Sequence, residues 1–403
     1  MKIGIYGGTF DPPHLGHMSA ARAAARALHL DQLLIIPAGI PPHKALSGSS
    51  ASGEDRLAMA EIMADRLGLG SEIPVKVLDI ELRRAGKSYT SDTVRELKAE
   101  CPEDDLWLFM GTDMFLSFHT WHEPEVIASL AGLCVFGRSA GDGETVFAAQ
   151  KERLEQSWNA RIVSVANPNV VEVSSTQIRE SLQQGENGMY LDESIWGYIL
   201  MHRLYGTHAD LKKLSLPQLR AASCSMVKAK RIPHIKGTEE TAARMALRWG
   251  ADEEMARKAA ILHDCTKYFD LSEQLSTCEK YGILLDDMEK STLPLLHAKS
   301  GAGIAGAVFG MPPEVCQAIF WHTTGKADMT LLEKILYIAD YAEPSRKYPW
   351  AEELRGLIYT DLDAAVLRGL EITIAHTTSR HQPIHYRTLE ARDWLTVHKG
   401  KEA

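Results

Sequence analysis

Short apolar runs and longer amphipathic stretches alternate along the first half of this 403-residue chain, and the alternation stops in the second half. Ile3 and Ile5 lie in a brief apolar run that ends at Gly7-Gly8, residues 33–36 read Leu-Leu-Ile-Ile, and strand-like segments recur at 75–81, 106–110, 132–136 and 161–165. Runs this short, bounded by turn residues, fit buried strands. Between them, residues 15–30, 54–67, 91–100 and 192–204 read as helices, whereas 139–157 is a polar segment with no assigned element. Strand and helix in alternation predict an α/β doubly wound parallel sheet over residues 1–206. Residues 207–213 read as a linker, and from 214 to 403 the pattern is helical, which predicts an all-α second domain.

The first strand runs into Gly7-Gly8-Thr9-Phe10-Asp11-Pro12-Pro13-His14-Leu15-Gly16-His17. Glycines at a strand's carboxyl end let backbone amides approach a ligand, and the helix that follows turns its positive end toward the same point. His14 and His17 flank a glycine at that helix entry and can both face a bound anion. Lys44, in the loop after the second strand, is a further phosphate candidate, because ligands of open α/β sheets gather at the strands' carboxyl ends. Near residue 174, Ser174-Ser175-Thr176 precedes a helical run as an N-cap, with Arg179 one turn in. Thr90, at a helix start with free amides, and Trp121, downstream of Gly111-Thr112-Asp113, together suit a flat aromatic ring bearing an anionic group.

Gly8 through His17 resembles, position for position, the GTFDPxHxGH signature of the nucleotidylyltransferase superfamily, and Ser174-Ser175-Thr176-Gln177-Ile178-Arg179 is similar to its SSTxIR signature, in the order the family has them. The Pro-Pro-His-Lys string ending at Lys44 recurs there too. This resemblance implies a Rossmann-like nucleotidylyltransferase in which His14, His17, Lys44 and Arg179 stabilise the charge of the transferring phosphates. Gly7, Gly8, Thr9, Phe10, Gly111, Asp113, Ser175 and Thr176 would hold the nucleotide. The strings Ser88-Tyr89-Thr90-Ser91-Asp92-Thr93 and Gly111-Thr112-Asp113 with Trp121 resemble the nicotinate mononucleotide adenylyltransferase branch. They imply ATP, with Mg²⁺, and nicotinate mononucleotide as substrates, with Thr90 and Trp121 reading the nicotinate. A transferase acting on pantetheine phosphate or on the pyridine amide nucleotide is the nearest rival.

In the second half the chemistry lies in His234, His263-Asp264, His297, His322 and Asp340, spread over successive helical segments. Imidazoles and carboxylates together suit a divalent transition metal such as iron, manganese or zinc. The order H…HD…D resembles the HD-domain metal phosphohydrolases. The strings around Lys267, Trp321-His322-Thr323-Thr324-Gly325, Tyr337 to Pro344 and Pro383 to Trp394 are similar to the branch that cleaves diadenosine tetraphosphate symmetrically to two ADP. By that resemblance His234, His263, Asp264 and Asp340 form the main metal set, His297 and His322 complete a second metal site or bind phosphate, and Lys267 and Arg346 neutralise phosphate oxygens. Another phosphohydrolase or phosphodiesterase, or a nucleotide-sensing module without turnover, are the alternatives.

Composition adds exclusions. A formal charge of −9 gives no basic footprint for nucleic acid, and no apolar run is long enough to span a membrane. The six cysteines are scattered without a CxxC pair, which argues against a disulfide framework. The chain opens directly on its first strand, so a cytoplasmic enzyme is expected, and homo-oligomerisation is left open.

Overall fold

The computed structural model describes residues 1–40, 50–71, 73–137, 144–166, 171, 173–186 and 188–398. These divide into two compact units, Met1–Thr207 and His208–Ala403. Among the described residues all six cysteines are free thiols, and no helix is long and apolar enough to cross a membrane.

The first unit is a six-stranded, fully parallel sheet: β1 (Lys2–Gly8), β2 (Gln32–Pro37), β3 (Val75–Val77), β4 (Asp105–Gly111), β5 (Ala131–Gly137) and β6 (Ile162–Ala166), in the order β3-β2-β1-β4-β5-β6. Alternate residues on each strand feed opposite faces, as the two-residue period requires. Tyr6, Leu33, Ile35 and Phe109 pack with Met18, Ala24, Met59 and Met63 of helices Leu15–Leu28 and Gly53–Gly68. Ile3, Ile5, Leu34 and Leu108 pack with Val94, Leu97 and Ile127 of helices Thr90–Glu100 and Pro124–Leu130. Helices on both faces make the sheet doubly wound. Gly4 is required at its centre, since a Cβ there would lie 2.6 Å from Leu30 and 2.7 Å from Phe109.

Two sequence expectations for this half need correction. The strand expected over 75–81 ends at Val77, and Ile80–Arg83 is a helical turn instead. The turn takes Glu81 inward, where its buried carboxylate accepts a 2.8 Å hydrogen bond from Thr93 Oγ1. The polar segment 139–157 contains a helix, Glu144–Trp158. Three of its apolar side chains, Phe147, Leu154 and Trp158, fall on one face and join the core, and the buried Gln150 donates to the Phe115 carbonyl at 3.2 Å. Three core contacts in a polar sequence are too sparse a signal to read without the partner surface.

The second unit is helical, with no strand among its described residues. Helices Ile232–Trp249, Glu253–Leu262, Leu293–Ala307, Pro313–Trp321 and Leu331–Ala342 surround one polar centre. Leu362–Ser379 and Tyr386–His398 follow them in the chain.

Candidate functional sites

In the α/β unit the first site lies where the strand order reverses, between β1 and β4. Their ladder ends at the pair Ile5↔Leu108, so Tyr6–Gly8 and Phe109–Gly111 run on without pairing to each other. That parting opens the crevice in which open α/β sheets bind ligands. Gly7 and Gly8 end β1, and Thr9 and Phe10 continue as a loop in which Phe10, fully buried, adopts φ 48°. Gly111 ends β4 and caps the short helix Thr112–Leu116, which carries Asp113.

His14 and His17 meet at the entry of helix Leu15–Leu28, ring centroids 3.7 Å apart. The His14 amide donates to His17 Nδ1 at 3.2 Å, so a neutral His17 keeps its proton on Nε2. His14 Nδ1 is buried without a partner. Gly16 is required beneath it: a Cβ there would lie 2.9 Å from His14 Nδ1. Burial pulls the His14 pKa down to about 4, and burial together with His14 pulls His17 well below its ordinary value. Both rings are thus neutral at pH 7 and ready to gain charge beside an anion.

Helix Ser175–Gln183 reaches the same loop. Ser174 caps it by accepting from the Gln177 amide, Ser175 Oγ donates to the Pro12 carbonyl at 3.0 Å, and the buried Arg179 donates to the Asp11 carbonyl at 2.7 Å and to Thr176 Oγ1 at 3.3 Å. Arg179 Nε is left without a partner. Thr90 is the first residue of Thr90–Glu100, and Trp121 is half-buried against Phe118. Their segments touch: the Tyr89 and His122 rings lie 4.3 Å apart, and Arg95 grips Glu123 at 2.6 and 2.8 Å. Lys44 lies outside the described residues.

Two residues of this site escaped the motif reading. Arg56, 2% exposed, donates from one nitrogen to the Thr9 carbonyl at 3.1 Å and the Ala38 carbonyl at 2.6 Å, joining the loops after β1 and β2. Tyr205 donates to the buried Asp11 carboxylate at 2.8 Å, which also accepts from the Ala51 amide at 3.0 Å. A lone arginine in an amphipathic helix and a tyrosine at a helix end carry no local signal of such long-range bonds.

In the helical unit the second site gathers side chains from five segments. His234 Nε2 lies 3.2 Å from His263 Nε2 and 3.0 Å from Asp340 Oδ1. His297 Nε2 lies 3.2 Å from His322 Nε2 and 3.1 Å from Asp264 Oδ1. The ligand atoms form two groups, His234–His263–Asp264 and Asp264–His297–His322, that share the fully buried Asp264. His263 Nδ1 and His322 Nδ1 face the Ala260 and Ile319 carbonyls at 2.6 and 2.7 Å, and His234 Nδ1 faces the Glu343 carboxylate at 2.9 Å. Those acceptors hold the protons on Nδ1 and turn the Nε2 lone pairs to the centre.

Two such lone pairs at 3.2 Å repel unless a proton or a metal cation lies between them. With metal–nitrogen bonds of about 2.1 Å, two imidazoles on one ion stand at about this separation. The donor set therefore fits a divalent transition metal. Lys267 Nζ is 3.5 Å from Asp264 and 3.1 Å from His297 Nε2, brought there by the turn that follows the helix Glu253–Leu262. Burial pushes the Asp264 carboxyl up, but His263 and Lys267 outweigh it and hold the group well below the usual carboxylate range. Arg346 donates to Asp340 Oδ1 at 2.6 Å. Arg231, which pairs with Asp264, and Glu343 behind His234 were not picked out from sequence. Arg231 follows a run of scattered lysines that reads as ordinary surface charge.

The chain matches the Cytidylyltransferase-like family over residues 5–181 and the HD domain family over residues 231–345. A probable nicotinate-nucleotide adenylyltransferase of Listeria monocytogenes serotype 4b is 35% identical over 206 residues, 51% of this chain and 97% of the relative. One of Shewanella pealeana is 37% identical over 227 residues, 53% of this chain and 99% of the relative. Among solved structures, a predicted HD superfamily hydrolase involved in NAD metabolism from Clostridium acetobutylicum is 35% identical, covering 46% of this chain and 99% of its own, with a TM-score of 0.45. Through its α/β half the chain belongs to the nicotinate-nucleotide adenylyltransferase family, and its helical half is an HD domain.

Proposed function

We propose that the α/β half transfers the adenylyl group of ATP to nicotinate mononucleotide, releasing pyrophosphate and forming the deamido dinucleotide. The observation that carries this reading is the convergence of His14, His17, Arg179 and the Gly7–Phe10 loop on the crevice between β1 and β4. A phosphate oxygen of the acceptor attacks the α-phosphorus of ATP, and the bond to the bridging oxygen of the β-phosphate breaks. Nucleotidyl transfer asks the protein for alignment and for charge at the oxygens that become more negative. His17 Nε2–H and the partnerless nitrogens of His14 and Arg179 are donors suited to those oxygens, with Lys44 completing the set. Amides of Gly7, Gly8, Thr9 and Phe10 and the helix start at Ser175 and Thr176 cradle the phosphates, while Gly111 and Asp113 lie along the adenosine. Magnesium accompanies ATP and adds charge at its phosphates.

Thr90 and Trp121 are assigned to the nicotinate, the first through its helix-start amide and the second through its ring. Trp121→Ala should raise KM for nicotinate mononucleotide up to about tenfold, the loss of one stacking contact of at most about 1.5 kcal/mol, with little change for ATP. Steady-state kinetics with each substrate varied decides it, and equal effects on both would refute the stacking role. The transferase assignment itself is tested by offering the acid and amide mononucleotides with ATP and following pyrophosphate. Equal use of the two would refute selection for the acid, and use of neither would point to a different acceptor.

Burial lowers the His14 pKa to about 4; a bound triphosphate, whose charge favours the imidazolium, should raise it, and binding should take up protons above that pH. His17 is the titratable group whose ring meets it, the two ring centroids lying 3.7 Å apart. Affinity for ATP is then expected to strengthen as pH falls toward 4, an effect lost in His14→Asn. In the free protein the sign is opposite for stability: the unfolded chain binds this proton at 6.5, so stability falls as pH drops from 6.5 toward 4. Calorimetry in buffers of different ionisation enthalpy measures the uptake, and buffer-independent heats would refute it.

For the helical half we propose symmetrical hydrolysis of diadenosine tetraphosphate to two ADP. The shared Asp264 and its two groups of imidazoles support a metal-dependent phosphohydrolase. A divalent transition metal, iron or another, supplies Lewis acidity and activates water when bound there. His234, His263, Asp264 and Asp340 would hold it; His297 and His322 would hold a second ion or a phosphate. Lys267 and Arg346 offer positive charge to the non-bridging oxygens. Chromatography of products formed with Fe²⁺ or Mn²⁺ tests this: ADP alone is expected, whereas AMP with ATP would mean asymmetric cleavage, and binding without turnover would mean a sensor.

A further inference from the structure

Lys299 is fully buried and takes no part in the chemistry above. Its ammonium donates to the Phe320 carbonyl at 3.0 Å, pairs with Glu289 at 3.2 Å, and lies 3.6 and 4.2 Å from the centres of the Phe320 and Trp321 rings. Lys299 stands on the helix of His297, and the carbonyl it holds belongs to the last turn of the helix that leads directly into His322. A cation at a helix C-terminus satisfies a carbonyl that the helix itself leaves unbonded. Here that cation is supplied by the neighbouring helix, so the bond fixes one helix against the other at the level of the two histidines.

Behind Lys299 stands a second layer. Glu289 is 6% exposed, its other oxygen accepts the Asp286 amide at 3.0 Å, and the buried His385 lies 2.9 Å from Asp286 and 3.8 Å from Glu289. Asp286, Glu289 and His385 are spaced as a metal could use them. Their atoms are already engaged, however. His385 Nδ1 accepts the Arg387 amide at 3.2 Å, which leaves its proton on Nε2 for Asp286, and Lys299 supplies the positive charge. The cluster is a buried ionic support, and it gives a role to His385 of the Pro383–Trp394 string.

We infer that Lys299, set by Glu289, Asp286 and His385, is a positioning residue that fixes His297 and His322 at the separation needed by the Asp264–His297–His322 group. This rests on the reading of that group as a metal site. The test uses the full chain and Mn²⁺, with three variants titrated beside the parent. His297→Ala marks the part of the isotherm due to this group. Lys299→Met alone strands a buried carboxylate and can fail to fold, so the decisive variant is Lys299→Met/Glu289→Gln, which removes both charges and keeps the Asp286 amide bonded. The expected result is an unchanged unfolding midpoint with affinity at the His297-dependent part weakened about 10–100-fold, the range of an outer-shell loss. An isotherm like the parent's overturns the positioning role. If His297→Ala also leaves the isotherm unchanged, the metal reading of the group fails and takes this inference with it.

Discussion

Asp264→Asn is expected to lower hydrolytic turnover in the helical half by well over the roughly 100-fold typical of an outer-shell change, and to abolish stoichiometric retention of the metal. The expectation follows from Asp264 standing in both ligand groups at once, with Oδ2 3.4 Å from His263 Nε2 and Oδ1 3.1 Å from His297 Nε2. Asparagine keeps the shape but replaces one carboxylate oxygen by an N–H donor and removes the charge that offsets Arg231 and Lys267. Two basic side chains then face a neutral group among imidazoles, and a divalent cation meets net repulsion. Transfer of the adenylyl group should be unaffected, since every residue assigned to it lies in Met1–Thr207. Metal analysis of the purified variant, with both reactions assayed on the same preparation, checks this. Retained metal and retained hydrolysis would exclude Asp264 as the shared ligand; loss of both reactions together would indicate failure of folding rather than of the site.

What could be read from the sequence follows from where the information sits. β1, β2, β4 and β5 are buried on both faces, so their apolar runs stand out, and the alternation with helices dictates a parallel sheet. Histidines and aspartates of the polar centre could be named because their order along the chain resembles that of the HD-domain phosphohydrolases; any one of them alone reads as an ordinary core or surface residue. By contrast, Arg56, Tyr205, Arg231, Glu343 and Lys299 act through bonds to residues far along the chain, such as Tyr205 to Asp11 and Lys299 to Phe320. Their neighbours in sequence do not reveal these partners. The strand reading runs past Val77 because Val75, Val77, Leu78 and Ile80 keep the stretch largely apolar, while the fold turns Glu81 inward to Thr93. Helix Glu144–Trp158 was missed for the opposite reason, its buried face being only a few side chains wide.

His17→Ala is expected to reduce kcat for adenylyl transfer by about 10²–10³, the usual effect of deleting one preorganised donor to a developing oxyanion, while KM for either substrate changes only a few-fold. The argument turns on the direction of its proton. The His14 amide occupies Nδ1, so the neutral ring presents Nε2–H as a donor without a tautomer change or protonation first. The donor is already in place before charge builds, and the rigid frame of Phe10 and Tyr6, with ring centroids 5.3 and 6.1 Å from His17, keeps it from turning to follow the substrate. Such a group stabilises the transition state more than the ground state, and its loss falls on turnover. His17→Gln, with an amide N–H of similar reach but no ring to receive the His14 amide, should recover only part of the rate. If instead KM for ATP rises in step with a preserved kcat, His17 binds ground-state phosphate uniformly and the oxyanion role passes to Arg179 Nε, the buried donor without a partner across the loop.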